Sequence, residues 1–191
     1  MKKILGIGVI LLSILFTGCS SDNDDNSETS NSISATINGV DWKPTKFAVS
    51  LIKIPGSGQR FDINAQDDKI MLLLACESDF TTQNAMPLRE YNFYEEIEET
   101  DETEKKLASS DALFVNTYLI DGNSYTEHFP KSGKITITAM DSEKKTVSGT
   151  FSFTSTKEGI LQTKIVTPEV FEVKNGVFKD LPYQVVTTPA P

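Results

Sequence analysis

The chain is short and acidic. It has 191 residues, in which 18 Lys and Arg face 27 Asp and Glu, so its formal net charge is −9 at pH 7. Such a charge repels phosphate backbones, because nucleic-acid binding draws much of its affinity from positive side chains. Length and charge therefore favour one globular domain and exclude nucleic acid as an expected partner.

The first residues have the pattern of an export signal. Lys2 and Lys3 precede an apolar run of thirteen residues, Ile4–Phe16, which is shorter than the roughly 20 residues of a membrane-spanning helix. The segment Leu15–Cys19 resembles the lipobox of bacterial lipoproteins. This resemblance implies that residues 1–18 are a signal peptide and that Cys19 carries the lipid. Without Lys2 and Lys3, 16 basic residues face 27 acidic ones, a net charge of −11.

A lipid on Cys19 would decide the state of the other cysteine. Exported proteins usually pair their cysteines, and this chain has two. A thioether at Cys19 cannot form a disulfide, so Cys76 is expected to be a buried, unreactive thiol after the apolar run Ile70–Ala75. The alternative is a nucleophilic Cys76 with His128, the single histidine, as its base.

Residues 20–32 contain no apolar side chain. A segment of this kind cannot offset its ordering entropy by burial, so residues 19–32 are predicted to be a lipidated cysteine and a disordered acidic tether. The acidic start resembles the surface-export signal of Bacteroidota lipoproteins, although a plain spacer would have the same composition. Residues 33–191 are predicted to form a single β domain.

From Ile33 onward, apolar and polar residues alternate. This is the pattern of half-buried strands, and it is clearest in Phe47–Leu51, Phe61–Ala65, Ile135–Ala139 and Val147–Phe153. Ile70–Ala75 is apolar on both parities and is predicted to be a central strand covered on both faces. The predicted fold is all-β, an antiparallel β-sandwich or a partly closed barrel.

Turn residues separate these runs. Asn38-Gly39 and Asn175-Gly176 each predict a type I′ hairpin, because both central residues of that turn need positive φ. Further turns are predicted at Gly56-Ser57-Gly58, Asp67-Asp68, Asp121-Gly122-Asn123, Lys131-Ser132-Gly133 and Asp141-Ser142-Glu143.

One residue and one connection depart from this regular pattern. Gly149 lies on the apolar face of its predicted strand, where a glycine predicts a bulge or a closely packed aromatic ring. The connection 95–110 is predicted to contain a short helix, because Asp101 and Lys105, and Glu102 and Lys106, are favourable i,i+4 pairs.

Four blocks resemble, in the same order, a lipoprotein domain family of unknown function in Bacteroidota. They are Ala35–Pro44, Gly133–Thr138, Val147–Phe153 and Asn175–Tyr183, whereas Ser78–Ser110 has no counterpart. The resemblance implies a β-rich lipoprotein domain with no known activity. Cys19 is the only functional residue that it transfers to this chain.

Three aromatic residues are candidates for ligand binding. Trp42, Tyr91 and Tyr94 could form a platform for a glycan or a peptide, since their rings combine flat apolar faces with a polar edge. The alternative is that Trp42 closes one end of the core and that Phe93 packs between outward tyrosines.

The remaining charged and nucleophilic residues give weaker patterns. The acidic run from Glu95 to Glu104 could collect calcium, but it lacks the spacing and the turn glycine of a calcium loop, and a solvated face explains it. His128 has no companion ligand, so no metal site is expected. No nucleophile elbow or phosphate loop is present, and neither a catalytic residue nor a cofactor is predicted.

These patterns favour a lipid-anchored protein of the cell envelope that binds or interacts and has no enzymatic activity. Its expected partners are the membrane, through the anchor, and a glycan or an envelope protein. The expected location is the outer membrane facing outward, with the periplasmic face as the alternative. Two other functions stay open, an accessory subunit of an envelope complex and a hydrolase that depends on carboxylates or on Cys76 with His128.

Overall fold

A computed structural model of the protein describes residues 31–94, 110–157 and 167–189. Within these ranges the chain forms strands and no helix, and hence no helix that could cross a membrane. The strands are β1 Ser32–Ile37, β2 Val40–Trp42, β3 Lys46–Ile54, β4 Gly58–Gln66, β5 Ile70–Ser78, β6 Glu90–Tyr94, β7 Ala112–Ile120, β8 Asn123–Tyr125, β9 His128–Asp141, β10 Thr146–Lys157, β11 Val170–Pro182 and β12 Gln184–Thr187.

The strands form two six-stranded sheets. Sheet A has the order β2-β1-β11-β10-β9-β6, and sheet B has the order β12-β3-β4-β5-β7-β8. All neighbours are antiparallel except β12, which runs parallel to β3. The predicted all-β fold is confirmed as a sandwich-like arrangement, and the sheets do not close into a barrel. The helix predicted in the connection 95–110 lies outside the described residues.

Aromatic rings join the inner faces of the two sheets. Phe114 of β7 stacks on Phe153 of β10 at 4.7 Å between centroids, and Tyr118 of β7 meets Phe171 of β11 edge-on at 5.7 Å. Such pairs add specific contact energy to the apolar area that they bury. The core therefore lies between the sheets, as the alternating pattern predicted for half-buried strands.

The strand predicted to be central is confirmed. The segment Ile70–Ala75 lies in β5, which is hydrogen-bonded to β4 on one side and β7 on the other. Leu72 and Leu74 are buried on the inner face, and Met71 and Leu73 are half-buried on the outer face. Residues 70–75 are apolar on both faces of the strand, because even the side chains on the outer face are partly covered.

The hairpin predicted at Asn38-Gly39 is confirmed. Asn38 has φ 47° and Gly39 has φ 80°, which is the left-handed pair of a type I′ turn, and the turn joins β1 to β2. Asp121 and Gly122 make a similar turn between β7 and β8, with φ values of 49° and 76°. The turns predicted near Gly56, Asp67 and Asp141 also connect consecutive strands.

The hairpin predicted at Asn175-Gly176 is wrong. Both residues lie inside β11, where the pairing with β10 and with β1 shifts register, so they form a bulge. Asn175 adopts the left-handed conformation with φ 51°. Gly176 is required for another reason, since a Cβ there would lie 2.4 Å from the carbonyl oxygen of Phe151. Asn175 supplies the positive φ at the bulge, as the first residue of a type I′ turn would.

The turn predicted at Lys131-Ser132-Gly133 is also wrong, because these residues continue β9. Gly133 lies under the ring of Phe114, and a Cβ would approach that ring to 2.5 Å. The prediction for Gly149 is confirmed, since the pairing shifts register there and the ring of Phe178 occupies the space of a side chain. In both cases glycine makes room for an aromatic ring of the core.

Candidate functional site

The predicted anchor, Cys19, and the predicted tether, residues 19–32, lie almost entirely outside the described residues. The described chain begins at residue 31, and β1 begins at Ser32. The acidic run from Glu95 to Glu104 also lies outside. Among the described residues, no group of three or more His, Cys, Asp or Glu is placed to hold a metal ion.

Two of the three aromatic candidates are buried. Trp42 is 6% exposed, and it packs into the core from the edge strand β2, opposite Ala35. Tyr91 is 0% exposed, and its hydroxyl donates to the carbonyl oxygen of Pro87 at 2.8 Å. Neither ring presents a face at the surface for stacking. Tyr94 is the last residue of β6, where its backbone pairs with Ser132.

Strand parity explains the position of Tyr91. Residues 91 and 93 are two positions apart and point to the same side of β6, so Tyr91 lies inward with Phe93 and is not one of a pair of outward tyrosines. The guanidinium of Arg89 lies 3.9 Å from the Tyr91 ring and also pairs with the carboxylate of Asp111. Asp111 in turn accepts from the backbone N–H of Asn92. This cluster ties β6 to the start of β7, which is a structural role.

Cys76 and His128 do not form a nucleophile–base pair. Cys76 is 0% exposed, and burial raises the pKa of its thiol well above the ordinary value, which disfavours the thiolate. Cys76 pairs with Ala112, whereas the ring of His128 contacts Tyr118, six residues farther along β7 and therefore about 20 Å away. The thiol version of the hydrolase hypothesis has no site in this arrangement.

A buried ion pair lies where β9 begins and β10 ends. Lys157 Nζ is 3.2 Å from Glu127 Oε2, and the Thr167 hydroxyl donates to the same oxygen at 2.7 Å. This hydrogen bond, with the nearby Lys157, lowers the pKa of the Glu127 carboxyl. A carboxyl with a lowered pKa stays ionised at neutral pH and is a poor general acid. The next residue, His128, makes a 2.8 Å hydrogen bond through Nε2 with the carbonyl oxygen of Pro168.

An open groove of about 470 Å³ crosses the outer face of sheet A. It spans four neighbouring strands, β6, β9, β10 and β11, and its floor includes Gly133 and Phe153. Phe93 also lines the groove at the β6 side, although its half-buried side chain points to the inner face with Tyr91. The polar lining side chains are Asn92, Ser132, Lys134, Ser152, Thr154, Glu172 and Lys174.

Strand pairing sets these polar groups in rows. Ser152 lies opposite Lys134, which lies opposite Asn92, while Thr154 lies between Ser132 and Glu172. The charged members are paired, since Lys134 Nζ is 2.9 Å from Glu90 Oε2 and Lys174 Nζ is 2.8 Å from Glu172 Oε1. The hydrogen bond from Lys134 lowers the pKa of Glu90. The groove therefore offers fixed hydrogen-bonding groups with balanced charge.

The central strand of this face carries a continuous series of hydroxyl groups. All outward residues of β10 are Ser or Thr, namely Thr146, Ser148, Thr150, Ser152, Thr154 and Thr156. The sequence contained this signal as the polar parity of the run from Val147 to Phe153. From the sequence alone these residues indicate only a solvent-facing side of the strand, because the sequence does not reveal which neighbouring strands complete a groove.

A family model described as a domain of unknown function, DUF6252, matches residues 29–182, which is 154 of the 191 residues. The chain belongs to the DUF6252 family. The match to DUF6252 begins just before β1 and ends with the last residue of β11, so it contains both sheets except β12. No curated protein and no solved structure matches this DUF6252 chain.

Proposed function

We propose that this protein is a lipid-anchored, non-catalytic binding module of the cell envelope, held at the outer membrane through Cys19 and facing the outside of the cell. Acyl chains contribute about 0.8 kcal/mol per buried methylene, and one chain holds only weakly whereas two or more hold firmly. A diacylated or triacylated Cys19 would therefore keep the domain at the membrane. The short apolar run before Cys19 supports this reading.

The groove on sheet A is the observation that carries the binding role. Its polar groups come from β6, β9, β10 and β11, whose backbones are fixed by the hydrogen bonds of the sheet. A rigid sheet holds side chains in place before a ligand arrives, which lowers the entropic cost of binding. A volume of about 470 Å³ falls within the usual range of ligand sites.

Three residues suited to covalent or acid–base catalysis have structural contacts instead, which supports a non-catalytic role. Cys76 is enclosed in the core, His128 is buried against Tyr118 and Phe171, and Glu127 is ion-paired with Lys157. Each of these groups already has a structural task. None of the three lines the groove.

The anchor is tested by substituting each cysteine in turn. Cys19→Ser should move the protein from the membrane fraction to the soluble fraction, because the thiol that accepts the lipid is lost. Cys76→Ala is the matched control, and that variant should stay with the membrane. Membrane retention of the Cys19→Ser protein would contradict the proposal. Protease treatment of intact cells then distinguishes outward display, which leads to cleavage, from a periplasmic orientation, which protects the chain.

A second candidate function is an accessory subunit of an envelope complex. Leu88 is 60% exposed, and Phe80 and Leu113 are each 37% exposed. Phe80 and Leu88 belong to Ser78–Ser110, the segment without a counterpart in the resembled blocks, and a protein partner would bind there if these side chains form one contiguous apolar patch. Photo-crosslinkers placed at Leu88 and at Thr154 on intact cells distinguish the two functions. A membrane protein captured at Leu88 alone would favour the subunit, and capture at Thr154 would favour the groove.

A further inference from the structure

We infer that the groove on sheet A takes an uncharged glycan chain laid across the strands. This inference rests on the proposed binding role and names the class of ligand. It depends on three properties of the groove: free hydroxyl groups, backbone groups that are already paired, and balanced charge.

The hydroxyl groups of the groove are available to a ligand. Ser132, Ser152 and Thr154 make no side-chain hydrogen bond to other residues within the described ranges, in contrast to Ser148, whose hydroxyl bonds with Asp180. A Ser or Thr hydroxyl both donates and accepts, as does each hydroxyl of a sugar. Neighbouring hydroxyls held at strand spacing therefore complement a polyhydroxylated chain.

The backbone of the floor is not available. Each of β9, β10 and β11 is hydrogen-bonded on both sides within sheet A, to β6, to one another and to β1. An extended peptide that binds by strand addition needs an open sheet edge, where main-chain groups are free. Of the four groove strands, β6 is the edge strand of sheet A, whereas the floor formed by β9, β10 and β11 has no such edge, so recognition on the floor must depend on side chains. Recognition by side chains favours a ligand that carries many closely spaced hydrogen-bonding groups.

The charges of the groove cancel. Lys134 is paired with Glu90, and Lys174 with Glu172, so neither cation is left to hold an anion. The whole chain is also acidic, with a net charge of −9, and its field disfavours anionic polymers. An anionic polysaccharide or a phosphorylated ligand would have to displace an acidic partner from each lysine. A neutral chain avoids this cost.

The dimensions of the groove fit a short segment of such a chain. Four adjacent strands are separated by three inter-strand spacings, which is about 14 Å at the usual spacing of a sheet. The side chain of Asn92 lines the groove at the β6 side and offers a polar group there. The opposite side, with Glu172 and Lys174, offers polar contacts.

The test uses the full-length processed lipoprotein in detergent. Its migration in native gels that contain neutral polymers, namely soluble starch, mannan or a β-glucan, is compared with migration in gels that contain alginate. We expect at least one neutral polymer to retard the protein and alginate to have no effect. In the double variant Ser152→Ala with Thr154→Ala, the dissociation constant should rise about tenfold, because two hydrogen bonds of ordinary strength are lost.

Thr150→Ala is the matched control. Thr150 is an outward hydroxyl residue of the same strand, but it does not line the groove, so its removal should leave the retardation unchanged. Urea unfolding midpoints of both variants should match the wild type, which separates loss of binding from loss of folding.

Retardation by alginate alone, equal retardation of the double variant and the wild type, or no retardation by any neutral polymer would each overturn the glycan inference. The crosslink from Thr154 on intact cells then decides the broader proposal. A protein captured there would keep the binding role of the groove with another ligand. Absence of any crosslink from Thr154 would remove the groove as a binding site.

Discussion

The two ends of the core differ in whether their buried polar side chains are hydrogen-bonded. At the end near the β3–β4 turn, Lys53 and Gln59 point inward and are buried. Lys53 Nζ donates to the carbonyl oxygens of Thr82 and Gln83 and to Asn84 Oδ1, at 2.9 to 3.2 Å. Gln59 Nε2 donates to the carbonyl oxygen of Ala85 at 3.0 Å. This end is closed by a loop whose carbonyl groups satisfy the buried donors.

The opposite end keeps polar atoms without partners. Among the described residues, neither amide atom of Asn116 has a hydrogen-bond partner, and the same is true of the Ser155 hydroxyl, His128 Nδ1 and Glu127 Oε1. Asn116 follows Phe114 on the inner face of β7, and Ser155 follows Phe153 on the inner face of β10. Since Phe114 stacks on Phe153, and Tyr118 meets the Ser155 neighbour Phe171, Asn116 and Ser155 face the same part of the core.

The difference shows that burial alone does not tell whether a polar residue stabilises the fold. Lys53 organises the loop that covers it, with a further contact between its ammonium and the ring of Phe80 at 5.2 Å. Asn116 is equally enclosed, yet it gains no hydrogen bond to offset its desolvation. The first end should therefore lose stability when its polar residue is replaced, and the second should gain it.

The largest expected effect lies between the two ends, at the stacked pair of Phe114 and Phe153. Phe153→Ala should lower the free energy of unfolding by about 3–5 kcal/mol, because it removes a buried ring and leaves a cavity. Urea unfolding followed by fluorescence or circular dichroism measures this change. Ser152→Ala, the neighbouring outward residue, is the control and should change stability by no more than about 0.5 kcal/mol. Similar values for the two variants would contradict the assignment of inner and outer faces on β10.

Lys53→Met should have the next largest effect. The substitution keeps the apolar stem but removes a charged donor with three acceptors, and hydrogen bonds to charged groups contribute about 1.5–3 kcal/mol. We expect a loss of this size in urea unfolding, together with faster proteolysis within residues 79–86. Lys144→Met is the control, since the Lys144 side chain is 79% exposed and its carboxylate contact is at 4.0 Å. Unchanged stability of the Lys53 variant would show that the loop closes this end without the lysine.

The sequence predicted those parts of the molecule that depend on local pattern. Alternation in β3, β4, β9 and β10 gave the strands and their buried faces, and Asn38-Gly39 gave its hairpin. The same dipeptide at Asn175-Gly176 failed, because positive φ serves a bulge as well as a turn, and only the close approach of Phe151 distinguishes them.

The candidate site was harder to predict than the strands. Tyr91 was expected to face outward, but its strand is short and gave no clear alternation to fix its parity. The groove depends on which strands are neighbours in sheet A. Pairing of β6 with β9 joins segments that are distant in the chain, and no local pattern encodes that pairing.

At the opposite end, Asn116→Leu should raise the free energy of unfolding by about 1 kcal/mol, because an amide without hydrogen-bond partners is replaced by an apolar side chain. The measurement is again urea unfolding, and Asn64→Leu, at an exposed position on β4, is the control for the change of residue type. A loss of about 1 kcal/mol or more in the Asn116 variant would mean that the amide is hydrogen-bonded in solution, for instance to an internal water. The contrast between the two ends would then disappear.

The smallest effect concerns the pH dependence of the same end. The hydrogen bond from Thr167 and the nearby Lys157 lower the folded-state pKa of Glu127 below its unfolded value. The stability that this carboxylate contributes is therefore present above the ordinary carboxyl pKa and is lost as the pH falls through the lowered pKa. Glu127→Gln removes that contribution, so its urea midpoint should fall less steeply between neutral and acidic pH than that of the wild type.

Thr167→Val sharpens this last prediction, because it keeps the carboxylate and removes its closest hydrogen bond. If the hydrogen bond is the main cause of the lowered pKa, the valine variant should show most of the flattening seen with Glu127→Gln. If Lys157 dominates, the valine variant should follow the wild-type profile, and Lys157→Met should flatten it. The first result would show that Thr167 is the main support of the buried carboxylate, as the loop carbonyl groups are for Lys53 at the other end. The second would show that the ion pair with Lys157 is its main support.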